Sequence, residues 1–350
     1  MTEFRRPPSH LAEPEQLATY LESRIPDCQG ISAIEKFAAG QSNPTYLIKS
    51  LSGLFVLRAK PPGPLLKSAH LVEREFRVMK ALQGAAVPVP KMVLLVDDVE
   101  SPLGRAFFVM EYVEGDVYHD PALPDLSRRA RSAIYQSMCQ VLADLHSVEL
   151  EEIGLKDFGK PGNYFDRQTA RWTKQYQASK FRDIDAMDRL IDWLGANVPP
   201  DDGMTSLVHG DFRLDNMIFD VENCAVAALI DWELSTLGHP MADLAYQCMQ
   251  WRLSNLSGFR GLGGVDRSSL GIPTEMEYVA KYCALRKIDE PRSWKFFLAF
   301  AFFRLGAILE GVARRAIDGN ASNPGTARIY GEMVPVLANQ AAELISGDST

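Results

Sequence analysis

The sequence has few cysteines, no long apolar run, no excess of positive charge and no repeats. Its five cysteines are scattered with no C-x-x-C pair, a pattern typical of reduced thiols inside a cell. The longest purely apolar stretch, "FFLAFAFF" (296–303), is too short to cross a bilayer. The net charge of −8 argues against a nucleic-acid binder. The start, "MTEFRRPPSH", lacks the apolar core of a signal peptide. We therefore expect a cytoplasmic protein that contacts neither nucleic acid nor a membrane.

The bulk composition is that of an ordinary soluble globular protein. Apolar residues make up 46% of the chain and charged residues 23%. A chain of 350 residues is long enough for one large domain or two ordinary domains with a real core. Composition leaves the oligomeric state open.

The first 115 residues predict a small sheet with one internal helix. Short runs rich in β-branched and aromatic residues alternate with turn signals such as "SNP" and "SG". An amphipathic helix is expected near the start and a second helix before the last two strands. The helices are predicted over 13–24 and 68–82, and the strands over 30–37, 44–50, 53–60, 87–98 and 104–115.

Helical periodicity dominates the rest of the chain, interrupted by three short apolar stretches between 206 and 233. We expect an α+β protein with a β-rich N-terminal lobe (1–113) and a larger, mainly helical C-terminal lobe (114–350). A nucleotide is expected in the cleft between the lobes. The helices are predicted over 126–148, 163–180, 183–196, 240–252, 274–286, 290–318 and 325–346.

The stretch "HGDFRLDN" (209–216) contains candidate catalytic and metal-binding residues. Asp211 precedes Asn216 by five residues, which is the spacing of the kinase catalytic loop. Asp231 follows an apolar run (225–230) and is expected at a strand end facing the cleft. One amide oxygen and one carboxylate suit Mg²⁺, so Asn216 and Asp231 are the predicted metal ligands. Asp211 is the predicted catalytic base for an acceptor hydroxyl.

Two further residues are interpreted as structural supports of this loop. His209, two residues before Asp211, is expected to brace the loop, and Asp243 lies in the first turn of a predicted helix after Pro240. A DFG triplet at 157–159 stands upstream of "HGDFRLDN", whereas a kinase places its DFG downstream of the catalytic loop. Asp157 is therefore interpreted as a coincidence and not as a metal ligand.

The whole chain resembles the aminoglycoside phosphotransferase and choline kinase-like family, and most closely the kinase-like domain associated with acyl-CoA dehydrogenases. The resemblance implies a two-lobed, protein-kinase-like fold, and ATP with Mg²⁺ as the cofactors. No dehydrogenase module is expected, since the sequence ends at Thr350. The likeness lies in "AAGQSNPTYLI" (38–48), "FVLRAKPPG" (55–63), "EREFRVMKAL" (73–82), "GKPGNYFDRQTARWTKQY" (159–176), "HGDFRLDN", "IDWELSTLGHPMADLAY" (230–246) and "FFRLGAILEGVARRAIDGNAS" (302–322).

The resemblance also implies a nucleotide site in the N-terminal lobe. "GQSN" stands where a phosphate-covering loop belongs, with Gly40, Ser42 and Asn43 as candidates and a plain hairpin turn as the alternative. Backbone groups from Glu111 to Val113 would contact adenine.

A cation on the third strand should hold the phosphates. Arg58 and Lys60 share one strand face, and the resemblance favours Arg58. Glu75 falls within the buried stripe of its helix, whereas Glu73 falls on the polar face. Because a buried carboxylate needs a partner, we expect Glu75 to pair with Arg58.

The acceptor is the least constrained part of the interpretation. Arg167, Arg171 and Lys174 share one helix face, and Arg304 interrupts a later apolar helix. They form either a solvated basic face or a site for an anionic small molecule, for which the dehydrogenase-linked relatives imply a hydroxyacyl-CoA. The expected function is a small-molecule kinase. The alternatives are an aminoglycoside or sugar-type antibiotic kinase and a catalytically silent nucleotide-binding regulator.

Overall fold

The computed structural model describes residues 14–37, 43–62, 71–254, 260–319 and 323–347. The predicted loop residues Gly40 and Ser42 lie outside the described residues.

The N-terminal lobe is built on a five-stranded sheet with the order β1-β2-β3-β5-β4, in which every neighbouring pair is antiparallel. Helix α1 (Pro14–Arg24) buries Leu17 and Leu21 in one hydrophobic cluster with this sheet. Helix α2 (Val72–Leu82) contributes instead to the large core that continues into the C-terminal lobe. The strands are β1 (Ala33–Lys36), β2 (Thr45–Ser50), β3 (Gly53–Ala59), β4 (Met92–Val96) and β5 (Phe107–Glu111).

The C-terminal lobe is mainly helical and carries two small antiparallel sheets, β6–β9 and β7–β8. The predicted α+β, two-lobed arrangement is confirmed, and the expected boundary at 113/114 falls between β5 and α3. The helices are α3 (Arg128–His146), α4 (Tyr164–Ser179), α5 (Asp185–Ala196), α6 (Met241–Cys248), α7 (Arg267–Leu270), α8 (Glu275–Arg286), α9 (Trp294–Ile317) and α10 (Pro324–Ser346); the strands are β6 (Ser206–Val208), β7 (Met217–Asp220), β8 (Ala225–Leu229) and β9 (Thr236–Gly238).

Local sequence signals set several helix ends. The Ser127 hydroxyl accepts a hydrogen bond from the Ala130 amide and so caps α3. Thr274 and Glu277 form a reciprocal capping box at the start of α8. These caps satisfy backbone N–H groups that have no partner within the helix.

Helix α9 is the central helix of the larger lobe. Its length and composition would also suit a membrane span, but 83% of its most apolar window is buried inside the protein. It packs against α4, α5, α6 and α10, and Phe165 of α4 meets three of its phenylalanine rings. Packing on several sides explains why this helix is apolar around most of its circumference.

Candidate active site

The loop after β6 brings Asp211 and Asn216 into direct contact. A short 3-10 turn over Leu214–Asn216 follows the loop. The Asn216 side-chain amide donates to the backbone oxygen of Asp211 at 2.9 Å and to its carboxylate Oδ2 at 2.8 Å. Both hydrogen bonds use the amide nitrogen, so the amide oxygen of Asn216 is left to act as a ligand. The structure thus brings the predicted base Asp211 and the predicted ligand Asn216 together.

Asp243, at the start of α6, fixes the backbone of the loop that carries Asp211. Its buried carboxylate accepts from the backbone N–H of His209 at 2.6 Å and of Gly210 at 2.8 Å. His146 lies 3.3 Å from the same carboxylate. Burial alone would raise the pKa of Asp243, but the hydrogen bond from His146 and the backbone N–H groups outweigh it, and the pKa lies below its usual value. Asp243 is a fixed acceptor that shapes the loop.

His209 braces the loop against the strand that leads to Asp231. Its ring Nδ1 accepts from the Asp211 amide at 3.2 Å, so Nε2 carries the proton and donates to the Ile230 carbonyl at 3.0 Å. The Ile230 amide donates to the Asn216 carbonyl at 3.0 Å. Ile230, the residue before Asp231, is therefore hydrogen-bonded to both His209 and Asn216, the two ends of the catalytic loop.

Asp231 itself has a strained backbone. Its φ of +66° lies in the left-handed region, which side chains with a Cβ rarely adopt. Such strain persists only where the surrounding structure imposes it, and it is concentrated at functional sites. The strain supports a functional reason for the orientation of the Asp231 carboxylate.

Arg58 on β3 connects the two lobes at this point. Its guanidinium lies 3.0 Å from Glu75, 2.5 Å from Asp231 and 3.9 Å from Glu233. The predicted Arg58–Glu75 pair is thus present. Burial raises the pKa of Glu75 and Arg58 opposes the rise. Asn43 also donates to Glu75 at 2.9 Å, so the buried carboxylate is partnered by an arginine and an amide.

Lys60 is occupied elsewhere. Its ammonium lies 2.5 Å from Glu73 and 3.0 Å from Asp98. Each candidate cation therefore has its own carboxylate, and the structure directs Arg58, but not Lys60, towards Asp231. The structure therefore favours Arg58 over Lys60 as the predicted phosphate-binding cation.

The donor set fits a magnesium ion. Carboxylate oxygens of Glu75, Asp231 and Glu233 lie within 4.8 Å of one another. Oxygen ligands are what Mg²⁺ requires. Asn216 and Asp231 are the residues that would hold it, with Glu233 as an additional neighbour that the sequence did not single out.

Two further neighbours of Asp211 were not predicted. The Tyr246 hydroxyl on α6 hydrogen-bonds to the Asp211 carboxylate, and Arg213 Nε lies 3.3 Å from its Oδ2. Burial would raise the pKa of Asp211, but Arg213 and Tyr246 more than offset it, and the pKa is lowered. Asp211 is therefore ionised at neutral pH and can accept a hydrogen bond from a hydroxyl group.

Arg304 does not lie on an open surface. It is buried, donates to the Gly210 carbonyl at 2.5 Å, and stacks over Trp172 and Tyr246 at 5.5 and 5.3 Å. The expectation that Arg304 forms part of an exposed basic surface is corrected: buried in the core helix, the guanidinium takes its partners from the catalytic loop and two aromatic rings.

The other predicted basic residues lie on α4. Arg167 donates to two backbone carbonyls before the helix, at 2.6 and 3.3 Å, whereas Arg171 and Lys174 are exposed. Burial raises the pKa of Tyr164 to about 12, while Arg304, Arg171 and Arg167 oppose the rise. Three of the four basic residues thus lie near one half-buried tyrosine.

The linker after β5 leaves the backbone N–H of Val113 open. The Glu111 amide donates to Lys91 at 2.9 Å and the Tyr112 amide to Leu54 at 3.1 Å. Within the described part of the chain, the Val113 amide is the first in this segment without a backbone partner. Of the two predicted adenine contacts, Val113 retains an available N–H and Glu111 does not.

A cavity of about 660 Å³ lies elsewhere in the C-terminal lobe, between the start of α4 and the loop 198–204. Two of its acidic residues, Asp201 and Asp202, accept hydrogen bonds from the Asn163 amide and from His239. Asp211, Asn216 and Asp231 do not line it. We therefore locate the chemistry at the catalytic loop and not in this cavity.

Comparison with known proteins agrees with the geometry. A sequence model of the phosphotransferase enzyme family matches residues 33–269. Mouse acyl-CoA dehydrogenase family member 10 is 49% identical over 307 residues, which is 87% of this chain and 28% of the mouse protein. Human acyl-CoA dehydrogenase family member 11 is 39% identical over 342 residues, which is 96% of this chain and 44% of the human protein. The chain therefore spans less than half the length of these relatives.

Solved structures give the same result. A Ralstonia eutropha protein, provisionally assigned as an aminoglycoside phosphotransferase, is 42% identical with a TM-score of 0.86, and the match covers 99% of this chain and 100% of that one. An aminoglycoside phosphotransferase, APH(4)-Ia, in complex with ADP and hygromycin B, is 13% identical with a TM-score of 0.62 over 95% of this chain and 100% of that one, which shows the fold alone. The predicted resemblance is confirmed: the chain belongs to the phosphotransferase enzyme family and has its two-lobed, kinase-like fold.

Proposed function

We propose that this protein transfers the γ-phosphoryl group of ATP, with Mg²⁺, to a hydroxyl group of an anionic small molecule. The observation that carries the proposal is the hydrogen bond between an ionised Asp211 and the Asn216 amide, together with the backbone hydrogen bond from Ile230 to Asn216, which lies next to the strained Asp231 that pairs with Arg58. Structures of one distant relative, APH(4)-Ia, in complex with ADP or AMP-PNP favour an adenine nucleotide, whereas another, APH(2")-IIia, is in complex with GDP.

The residues divide the work as follows. Asp211 accepts a hydrogen bond from the acceptor hydroxyl and orients its oxygen in line with the γ-phosphorus. A bond forms between that oxygen and phosphorus, the bond to the β,γ-bridging oxygen breaks, ADP leaves, and the hydroxyl proton passes to Asp211. Arg58 binds the nucleotide phosphates through its planar guanidinium. Magnesium held by Asn216 and Asp231 would neutralise charge on the phosphates.

The acceptor class is inferred from charge and from the relatives. Arg171 and Lys174 are exposed cations on α4 and have no ion-pair partner among the described residues, and Arg171 lies over the Trp172 ring at 5.5 Å. These cations favour an anionic acceptor over a polycationic aminoglycoside. Because two relatives are named acyl-CoA dehydrogenase family members, a hydroxyacyl-CoA is the acceptor to test first.

ADP release in the presence of Mg-ATP and single acceptors tests the proposal. We expect turnover with hydroxyacyl-CoAs and none with kanamycin, and Asp211→Asn should lower kcat by about 10²–10⁴-fold while ADP still binds. Turnover of kanamycin but of no hydroxyacyl-CoA would show that the acceptor is an aminoglycoside and not an anionic small molecule. Equal turnover by wild type and Asp211→Asn would overturn the role of Asp211, and nucleotide binding without turnover of any acceptor would favour the silent regulator.

A further inference from the structure

Helix α2 carries Glu75 and must be held in place for the Arg58–Glu75 pair to persist. Glu75 is 1% exposed, and its carboxylate reaches Arg58 at 3.0 Å. Helix α2 lies between the N-terminal sheet and the C-terminal lobe, so an anchor on the C-terminal lobe would fix the pair.

Arg74 supplies such an anchor. As the residue next to Glu75, it projects from a different side of the helix. Its guanidinium stacks on the Phe158 ring at 3.6 Å from the centroid and donates to the carbonyl oxygens of Phe158 and, at 3.2 Å, of Ser235. Both carbonyls belong to the C-terminal lobe. Ser235 follows the 3-10 turn Trp232–Leu234 that begins directly after Asp231, so one side chain ties α2 to the segment that carries Asp231.

Arg74 packs on the "KDFG" stretch (156–159). Asp157 of this stretch was interpreted as a coincidence and not as a metal ligand. Phe158 is 1% exposed, and the backbone at Gly159 lies flush against β9. A Cβ atom at Gly159 would come within 2.6 Å of the Thr236 hydroxyl and 2.7 Å of the Leu237 amide. Asp157 points outwards and pairs with Arg77. The loop is therefore packed rigidly on the C-terminal lobe.

We infer that Arg74 is a positioning residue: it docks α2 on the loop 156–159 and Ser235 and thereby keeps Glu75 on Arg58 and Arg58 opposite Asp231. Arg77 reaches the same loop, but its side chain and that of Asp157 are 45% and 74% exposed, and exposed ion pairs contribute little. Of these two arginines, Arg74 therefore carries the polar anchoring of α2 on the C-terminal lobe.

The expected effect of Arg74 substitutions on catalysis rests on the proposed function, whereas their expected effect on the local opening of α2 does not. Hydrogen exchange of the α2 amides in the nucleotide-free full chain should be at least ~10-fold faster in Arg74→Ala and Arg74→Lys than in wild type, since local opening is measured directly. Lysine keeps the charge but cannot bond two carbonyls and stack at once. The matched control Arg77→Ala should change exchange less than about threefold.

Steady-state kinetics separate positioning from simple stability. Arg74→Lys should lower kcat by about 10-fold or more, with a melting temperature close to that of wild type. Unchanged α2 exchange in Arg74→Lys, or wild-type kcat in that folded variant, would overturn the inference. If wild type neither binds ADP nor turns over any acceptor, the proposed function fails, and the exchange comparison alone still decides whether Arg74 anchors the helix.

Discussion

Arg58 and Asp231 stand 173 positions apart in the sequence, yet Nη2 of Arg58 lies 2.5 Å from Oδ1 of Asp231. A cation of the N-terminal lobe thus touches an oxygen that is proposed to bind metal. Binding of Mg-ATP would require Asp231 to exchange this guanidinium for the metal while Arg58 turns to the phosphates.

This arrangement predicts unequal roles for the two cations of β3. Arg58→Ala should lower kcat/KM for ATP by about 10²–10³-fold, since it removes the cation proposed to bind the phosphates. Arg58→Lys should fall between Arg58→Ala and wild type, because lysine lacks the planar fork. Lys60→Ala, whose ammonium contacts Glu73 and Asp98, should change kcat/KM less than threefold. A larger effect of Lys60→Ala than of Arg58→Ala would reverse the assignment.

Arg304 and Arg171 should separate in their kinetic effects. Arg304 holds the Gly210 carbonyl next to Asp211, so Arg304→Lys should lower kcat by about 10-fold or more and leave the KM of the acceptor nearly unchanged. Arg171 is exposed, so Arg171→Ala should raise the KM of an anionic acceptor and leave kcat unchanged. Steady-state kinetics at saturating ATP distinguish the two. An increase of the acceptor KM in Arg304→Lys with normal kcat would restore the original substrate-binding role.

The buried His146 predicts a loss of stability in acid. Burial lowers the pKa of His146 below its ordinary value of 6.5, despite its hydrogen bond to Asp243. The unfolded chain therefore binds more protons than the folded one below about pH 6.5. The contribution of His146 to the free energy of unfolding should be fully retained above this pH and should be lost as the pH drops towards its folded-state pKa.

Urea unfolding at pH 7.5, 6.5 and 5.5 measures this dependence. His146→Gln removes the titrating group and should flatten the pH dependence, although the variant is less stable at pH 7.5. His239, whose pKa is also lowered by burial, accounts for a residual slope. An identical slope in wild type and His146→Gln would show that His146 does not titrate in this way.

Much of the fold was accessible from the sequence because periodicity reports burial. The α2 stripe placed Glu75 inside, where it is buried, whereas Glu73 is half-buried and pairs with Lys60. The strand β9 (Thr236–Gly238) was not predicted, since three residues give no periodic signal and its pairing with β6 is set by the tertiary structure. Helix α7, with four residues, was missed for the same reason of length.

The candidate site was predictable only where its residues share one local pattern. Asp211 and Asn216 lie within one loop, and their spacing alone indicated a shared role. Tyr246 and Arg304 act on that loop from α6 and α9, and nothing in their own neighbourhoods points to it. Arg304 drew attention as a charge in an apolar helix, but its partner became clear only once the helix was packed against the loop.

A crystal structure with Mg²⁺ and AMP-PNP tests the central claim most directly. We expect a metal ion within about 2.0–2.2 Å of the Asn216 amide oxygen and the Asp231 carboxylate, with Arg58 on the phosphates and Asp211 facing the γ-phosphorus. A nucleotide bound away from these residues, or a metal held without Asn216 and Asp231, would contradict the account.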